Sequence, residues 1–352
     1  MPGIIEAFYG PPWTNEERRT VIRTLGPLGF SFYHYAPKAD PQVREDWRKT
    51  WTDEQARALA GLRDESRSVG MTFGLGISPA GLQRGFGDED QRDLGRRLEQ
   101  INEIGPGHLI VLFDDERGDL SNLAERQAGI MDFVAERAEV DRLYCCPTYF
   151  SDDPLLDELF GQRPPGYLEA LGHLLDPAIR IYWTGPRICS DTLAADHLQD
   201  IIRRLGRKPA LWDNYPVDDR PDMIRHLHLR PFTDRLIGLE TMITDHAANP
   251  ALQAHLSLIP LLTLAPRFHV GPDRDAETAF REAAREILGP ELAEVLETDL
   301  PQLQDRGLEQ LDEREQQILR QRYETFDHPA AREIIRWLDG GYENVGPLAP
   351  GS

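Results

Sequence analysis

Two adjacent carboxylates, Asp114 and Asp115, close the apolar run His-Leu-Ile-Val-Leu-Phe at residues 108–113. A run this apolar, opened by Gly107, reads as a strand covered on both faces, as in a parallel sheet. The carboxyl end of such a strand is where α/β folds place their chemistry. Neighbouring carboxylates repel and titrate apart, so one is ionised while the other keeps its proton longer. That division suits cleavage of a glycosidic bond. The plainer alternative makes Asp115 a helix cap and Asp114 a solvated loop acid, and the doublet alone does not choose between them.

The elements that must position this pair are legible as short apolar runs, each followed by a longer charged, amphipathic segment. The runs fall at 3–9, 31–37, 72–78, 108–114, 142–148, 179–185, 208–214 and about 236–242. Their spacing, roughly 30–40 residues, is that of a βα unit. Thr14 with Glu17, and Thr52 with Gln55, form capping boxes at helix starts, and Gly29, Gly70 and Gly105 mark helix exits. The expected fold is α/β, a (β/α)8 TIM barrel with a C-terminal helical extension. A doubly wound sheet is the competing topology, but no G-x-G-x-x-G follows the first strand. The expected organisation is a catalytic barrel over 1–265, a helical region over 266–339 and a flexible tail over 340–352. Within the helical region Leu303, Leu308, Leu311, Ile318, Leu319 and Tyr323 form an apolar stripe that must be buried, either on the barrel or against a second copy of the chain.

Composition narrows the partners. Lys plus Arg number 39 against 60 for Asp plus Glu, a net charge of −21. Such a surface repels phosphate backbones and anionic lipid, so neither nucleic acid nor a membrane is expected as a partner. No segment is apolar for long enough to span a bilayer. The N-terminal residues lack the basic and apolar regions of a signal peptide, and the three cysteines read as reduced thiols, so a cytoplasmic location is expected. The ten histidines are scattered without ligand spacing, so neither a metal nor another cofactor is expected.

In a barrel all strands end at one face, and the residues just past them should converge. These are Glu6, Tyr9 and Trp13 after the first run, Tyr35 and Lys38 after the second, and Ser78 after the third. Asp114 and Asp115 follow the fourth, Thr148, Tyr149 and Phe150 the fifth, and Trp183 and Thr184 the sixth. Trp212, Asp213, Asn214 and Asp219 follow the seventh. Aromatic rings beside carboxylates and an amide describe a sugar site, although each residue alone has a structural explanation.

The strings GIIEAFYGPPWT at 3–14, YAPKAD at 35–40, ISP at 77–79, LFDD at 112–115, CPT at 146–148, WTGP at 183–186 and LWDN at 211–214 resemble, in order, those of the family 84 glycoside hydrolases. These are the O-GlcNAcase-like β-N-acetylglucosaminidases. The resemblance covers about residues 1–245 and itself implies a barrel. It implies retaining, substrate-assisted hydrolysis of terminal β-linked GlcNAc on a glycoside or glycoprotein, through an oxazoline. Asp114 would orient the acetamido group and polarise its N–H, and Asp115 would serve as acid and then base. Asp114, ionised beside it, would raise the Asp115 pKa. Lys38 would contact the sugar, Trp212 would wall the acetamido pocket, and Asn214 would lie near the acetamido group. Asp219 would hold the 4- and 6-hydroxyls, with Tyr149, Phe150 and Trp183 as further substrate-binding positions. Relatives dimerise through C-terminal helices, which implies a homodimer.

Three departures from the family pattern stand out. Ala7 occupies a glycine position, and Phe150 stands where the family has tyrosine, with Tyr149 one place early. The segment Leu239–Ile243, taken as the end of strand eight, lacks the asparagine expected there. Two other readings are a catalytically impaired glycan-binding relative and a hexosaminidase for cell-wall or chitin fragments.

Overall fold

The computed structural model describes residues 1–233, 238–271 and 274–342. Eight parallel strands close into a barrel in sequence order. They are β1 Pro2–Glu6, β2 Phe32–Tyr35, β3 Thr72–Ile77, β4 His108–Leu112, β5 Arg142–Cys146, β6 Arg180–Trp183, β7 Ala210–Asp213 and β8 His246–Ala248. Closure comes from β8, which pairs Ala247 with Gly3 on one side and with Trp212 on the other. The outer ring is made by α1 Asn15–Leu25, α2 Asp53–Ser68, α3 Asp88–Ile104, α4 Leu123–Ala135, α5 Leu155–Phe160, α6 Tyr167–Leu174, α7 Ala195–Leu205 and α8 Ala254–Leu262. Both expected capping boxes form, with Thr14 and Thr52 each accepting from the third helical N–H. Gly29, Gly70 and Gly105 all have positive φ, the conformation a helix exit asks of glycine.

Seven strands lie where the apolar runs predict. The eighth does not. Of the run at 236–242, residues 236 and 237 lie outside the described residues, and Leu239–Thr241 form a single 3-10 turn. Its apolar side chains have another use: Leu239 and Ile243 join Leu193, Leu198 and Leu211 in a satellite cluster beneath α7. The strand is instead the three residues His246–Ala248, too short and too small to stand out as an apolar run.

The lower barrel is filled by rings. His34 lies within hydrogen-bond distance of both Tyr182 (2.8 Å) and His108 (2.9 Å), and Tyr144 stacks on Tyr182. Burial first, then nearby arginines (and, for His34, the His108 imidazole), holds both histidines below the usual range, His108 at about 4, so the layer is neutral. Gly74 admits His34: a Cβ there would lie 2.4 Å from the imidazole Cδ2. At the rim of β1, Glu6 is fully buried, gripped by two Arg18 nitrogens and by the Tyr33 hydroxyl.

Beyond the barrel run α9 Ala276–Leu288, α10 Pro290–Leu300, α11 Glu313–Tyr323 and α12 Pro329–Leu338, with a π-helical turn at Pro301–Arg306. Leu303, Leu311, Leu319 and Tyr323 are buried in the same core as the barrel, while Ile318 is exposed. These helices clasp the β7–β8 connection: Leu227 N–H donates to the Leu303 carbonyl (3.1 Å), and Trp337 Nε1 donates to that of Ile224 (2.9 Å). The Glu333 carboxylate takes the backbone N–H groups of His255 and Leu256 at the start of α8. The expected stripe is therefore satisfied on the chain's own barrel, and its burial needs no second copy. No described helix is long and apolar enough to cross a membrane.

Candidate active site

The hydrogen bonds of β4 end at Phe113, whose N–H donates to the Cys146 carbonyl (2.9 Å). Beyond that point the backbone is free to turn, and Asp115 adopts φ 62°, the one left-handed conformation outside glycine among the described residues. Successive strand residues face opposite sides, and this turn is what lets both carboxylates reach one cavity. Glu116 fixes the far side by accepting the Gly81 N–H at 3.1 and 3.2 Å.

Other loops bring the partners. Lys38 follows β2, buried, with its ammonium bonded to Asp114 Oδ2 and 3.1 Å from Asp115 Oδ2. Tyr9, past β1, donates its hydroxyl to Asp115 Oδ2. Arg44 donates to the Asp115 carbonyl (3.2 Å) and stands 3.5 Å from its Oδ2. Burial alone would raise the Asp115 carboxyl, but Lys38, Arg44 and the Tyr9 hydroxyl outweigh it and hold it below the usual range. Asp114 is raised, by burial first and by the Asp115 charge, with Lys38 offsetting only part. The ionisation order is thus the reverse of the sequence expectation. The cause is the set of donors on Asp115, which arrive from loops far away in sequence.

Asp114, Asp115, Lys38 and Tyr9 line a cavity enclosing about 670 Å³, its open mouth included, a size suited to a small ligand. Seven of the nine expected site residues line this cavity: Asp114, Asp115, Lys38, Phe150, Trp212, Asn214 and Asp219. Trp212 Nε1 donates to Asn214 Oδ1 (2.9 Å), and Asp219 Oδ2 accepts the Tyr9 N–H (2.9 Å). Burial, with the Asp115 charge adding, pushes the Asp219 carboxyl up to about 6. Asp114 Oδ1 is buried and has no hydrogen-bond partner among the described residues.

Tyr149 and Trp183 are not brought to the cavity. Tyr149 turns outward and donates its hydroxyl to the Gly161 carbonyl (2.6 Å), while Phe150 takes the inward place. Trp183 is fully buried with Nε1 on His197 (3.1 Å), and the next residue, Thr184, lines the cavity. In each consecutive pair the alternation of side chains decides which one faces in.

The segment expected to hold an asparagine is not the eighth strand, and an asparagine, Asn249, does stand directly after the observed β8. Its Nδ2 donates to Asn214 Oδ1 (2.9 Å), its Oδ1 accepts the Ala7 N–H (3.2 Å), and it lines the cavity. Ala7 takes part through its backbone, so its methyl group leaves that contact intact. Sequence reasoning did not retain Tyr9 and Asn249, which line the cavity, or Arg44, which lies outside it and bonds Asp115. Tyr9 had a signal in its place just past a strand, whereas for Asn249 the only local signal is the following Pro250, which favours an extended backbone. Arg44 had none. Among the described residues no group of three His, Cys, Asp or Glu side chains is placed to hold a metal ion.

Comparison with known proteins agrees with this geometry. The family profile described as beta-N-acetylglucosaminidase matches residues 2–299. Protein O-GlcNAcase of Rattus norvegicus and that of Mus musculus are each 29% identical over 273 residues, 75% of this chain. The chain spans only 29% of the length of those relatives. A solved structure of an O-GlcNAc hydrolase mutant from Thermobaculum terrenum superposes with a TM-score of 0.79 at 29% identity, over 96% of this chain and 80% of that one. A closed barrel, a paired-carboxylate cavity at its carboxyl face and a profile match over most of the chain place this protein in the β-N-acetylglucosaminidase family, the family 84 glycoside hydrolases.

Proposed function

We propose that the chain is a retaining β-N-acetylglucosaminidase in which the substrate's own acetamido group is the nucleophile. The observation that carries this reading is Asp114 Oδ1, a buried acceptor without a partner on a residue that lines the cavity. An unpaired buried acceptor is costly, and an acetamido N–H is a donor that would satisfy it. With that N–H held, the acetamido oxygen attacks the anomeric carbon, the glycosidic bond breaks and an oxazoline forms. Asp115 gives its proton to the leaving oxygen. It then takes one from the water that opens the oxazoline. This route differs from the two-carboxylate scheme in which an enzyme side chain is the nucleophile.

Lys38, Arg44 and the Tyr9 hydroxyl hold Asp115 in its base form. A sugar whose hydroxyls draw Lys38 away from Asp115 weakens that hold and raises the carboxyl toward the acid form. Lys38, Asp219, Asn214 and Asn249 supply donors and acceptors for the ring hydroxyls, and Trp212 supplies a ring against the acetamido methyl. The names of the relatives, Protein O-GlcNAcase and O-GlcNAc hydrolase, support GlcNAc linked to protein as the substrate.

Asp114→Asn and Asp115→Asn separate the two roles. Asp114→Asn should slow every substrate, because an amide Oδ1 is a weaker acceptor and its Nδ2 opposes Lys38. Asp115→Asn should slow 4-methylumbelliferyl β-GlcNAc by roughly 10²–10⁴-fold and 2,4-dinitrophenyl β-GlcNAc far less, since a good leaving group needs no proton. Equal losses on both substrates for Asp115→Asn would overturn the assignment. A GlcNAc-modified peptide and a chitin oligosaccharide, compared on the parent protein, test the aglycone.

A further inference from the structure

Asp115 is held in its left-handed turn by very little of the barrel. The β4 hydrogen bonds stop two residues before it, and the next anchor is the Glu116 carboxylate on Gly81. Between these points one side chain grips both ends of the residue. Arg44 NH2 donates to the Asp115 carbonyl at 3.2 Å, and NH1 lies 3.5 Å from Oδ2 and 3.4 Å from the Tyr9 oxygen, which itself donates to Oδ2. The arginine is largely shielded, its side chain 15% exposed. It comes from the turn segment after β2, not from the barrel.

A residue other than glycine with positive φ persists only where its surroundings over-determine it. Here the planar fork of Arg44 supplies that constraint, because two of its nitrogens meet the carbonyl and the carboxylate at once. We propose that Arg44 is a positioning residue for Asp115: it fixes the turn that aims the Asp115 carboxyl into the cavity. The inference rests on the acid/base assignment of Asp115 made above.

Charge follows from the same contact. The groups facing Asp115 are Tyr9 from the β1 loop, Lys38 and Arg44 from the β2 segment, Asp114 beside it, Cys146 at the end of β5 and Asp219 from the β7–β8 connection. Removing one cation from this set raises the Asp115 carboxyl. The alkaline limb of kcat/KM, where the acid loses its proton, then moves to higher pH.

The test uses Arg44→Met and Arg44→Lys in the full chain, assayed with a series of aryl β-GlcNAc substrates of falling leaving-group ability. Arg44→Met should lose roughly 10–100-fold on the poor leaving groups and only a few-fold on 2,4-dinitrophenolate. Its alkaline limb should move to higher pH. Arg44→Lys keeps the charge but not the two-point grip, so it should show the leaving-group effect with a smaller shift of the limb. Guanidinium chloride should restore part of the Arg44→Met loss. Uniform losses across the series with an unmoved limb would mean that Arg44 only packs, and would overturn the proposal. If Arg44→Met fails to fold, the same two readouts on Arg44→Lys decide. Asp115→Asn, run alongside, distinguishes the failures. A flat leaving-group response there sinks the acid assignment and this inference with it, whereas a steep one beside a flat Arg44 response sinks this inference alone.

Discussion

Asp218 and Asp219 are consecutive acids with different surroundings. Asp219 lines the cavity, whereas Asp218 is fully buried behind it, with Oδ1 accepting the Leu252 N–H (2.9 Å) and Oδ2 unpartnered. Burial raises the Asp218 carboxyl from 3.8 to about 7, against the pull of the Leu252 N–H hydrogen bond. A folded-state pKa above the unfolded one means that the folded chain binds the proton more tightly. The stability this gives is complete below about pH 4 and is lost as pH rises through 7. A shift of that size corresponds to something on the order of 4 kcal/mol between the extremes. Asp218→Asn keeps the shape and cannot ionise. Its melting temperature relative to the parent should therefore climb steadily from pH 4 to pH 8, as followed by circular dichroism. A difference that stays flat with pH would mean that Asp218 is not the buried titrating group. At this same scale the acid pair was legible from residue type and position, but its ionisation order was not. Tyr9, Lys38 and Arg44 reach Asp115 from up to 106 residues away, and no local pattern announces them.

At the scale of elements, α6 and α7 approach unusually closely. A Cβ on Gly172 of α6 would lie 2.2 Å from the Leu205 carbonyl oxygen at the end of α7. Replacing glycine by alanine inside a helix ordinarily gains about 1 kcal/mol of propensity. Here the neighbour is backbone and cannot rotate away, so overpacking, typically about 1–3 kcal/mol and sometimes more, should win. Gly172→Ala is expected to lower the urea midpoint while leaving kcat near that of the parent, because α6 and α7 pack on the outside of the barrel. An unchanged midpoint would show that the two helices have room to separate. Capping boxes and seven strands were readable because each is a local pattern. The eighth strand was not, since two alanines and a histidine complete a barrel only when β1 and β7 stand on either side of them.

The whole molecule keeps its large apolar side chains inside. Among the described residues only Met1, Leu155, Leu174 and Ile318 are exposed large hydrophobics, and they are scattered over the N-terminus, α5, α6 and α11. Single exposed apolar residues do not make an association surface. The surface otherwise carries a net charge of −21, which opposes self-association at low salt. Light scattering at tens of micromolar is therefore expected to return the mass of one chain. A dimer mass that disappears on Ile318→Glu would restore the homodimer through α11 that the family resemblance implies.

What the sequence determined by itself is what short-range rules govern. Alternating apolar runs and capped amphipathic segments specify βα units, and the paired acids at the end of the β4 run specify where chemistry belongs. Closure of the barrel then decided the rest. It chose Phe150 over Tyr149 and Thr184 over Trp183 for the cavity, and it delivered Asn249 from a strand too short to read. It also surrounded Asp115 with Lys38, Arg44 and a tyrosine hydroxyl. These outcomes depend on which loops share one rim, a relation between residues distant in sequence that only the folded chain brings into contact.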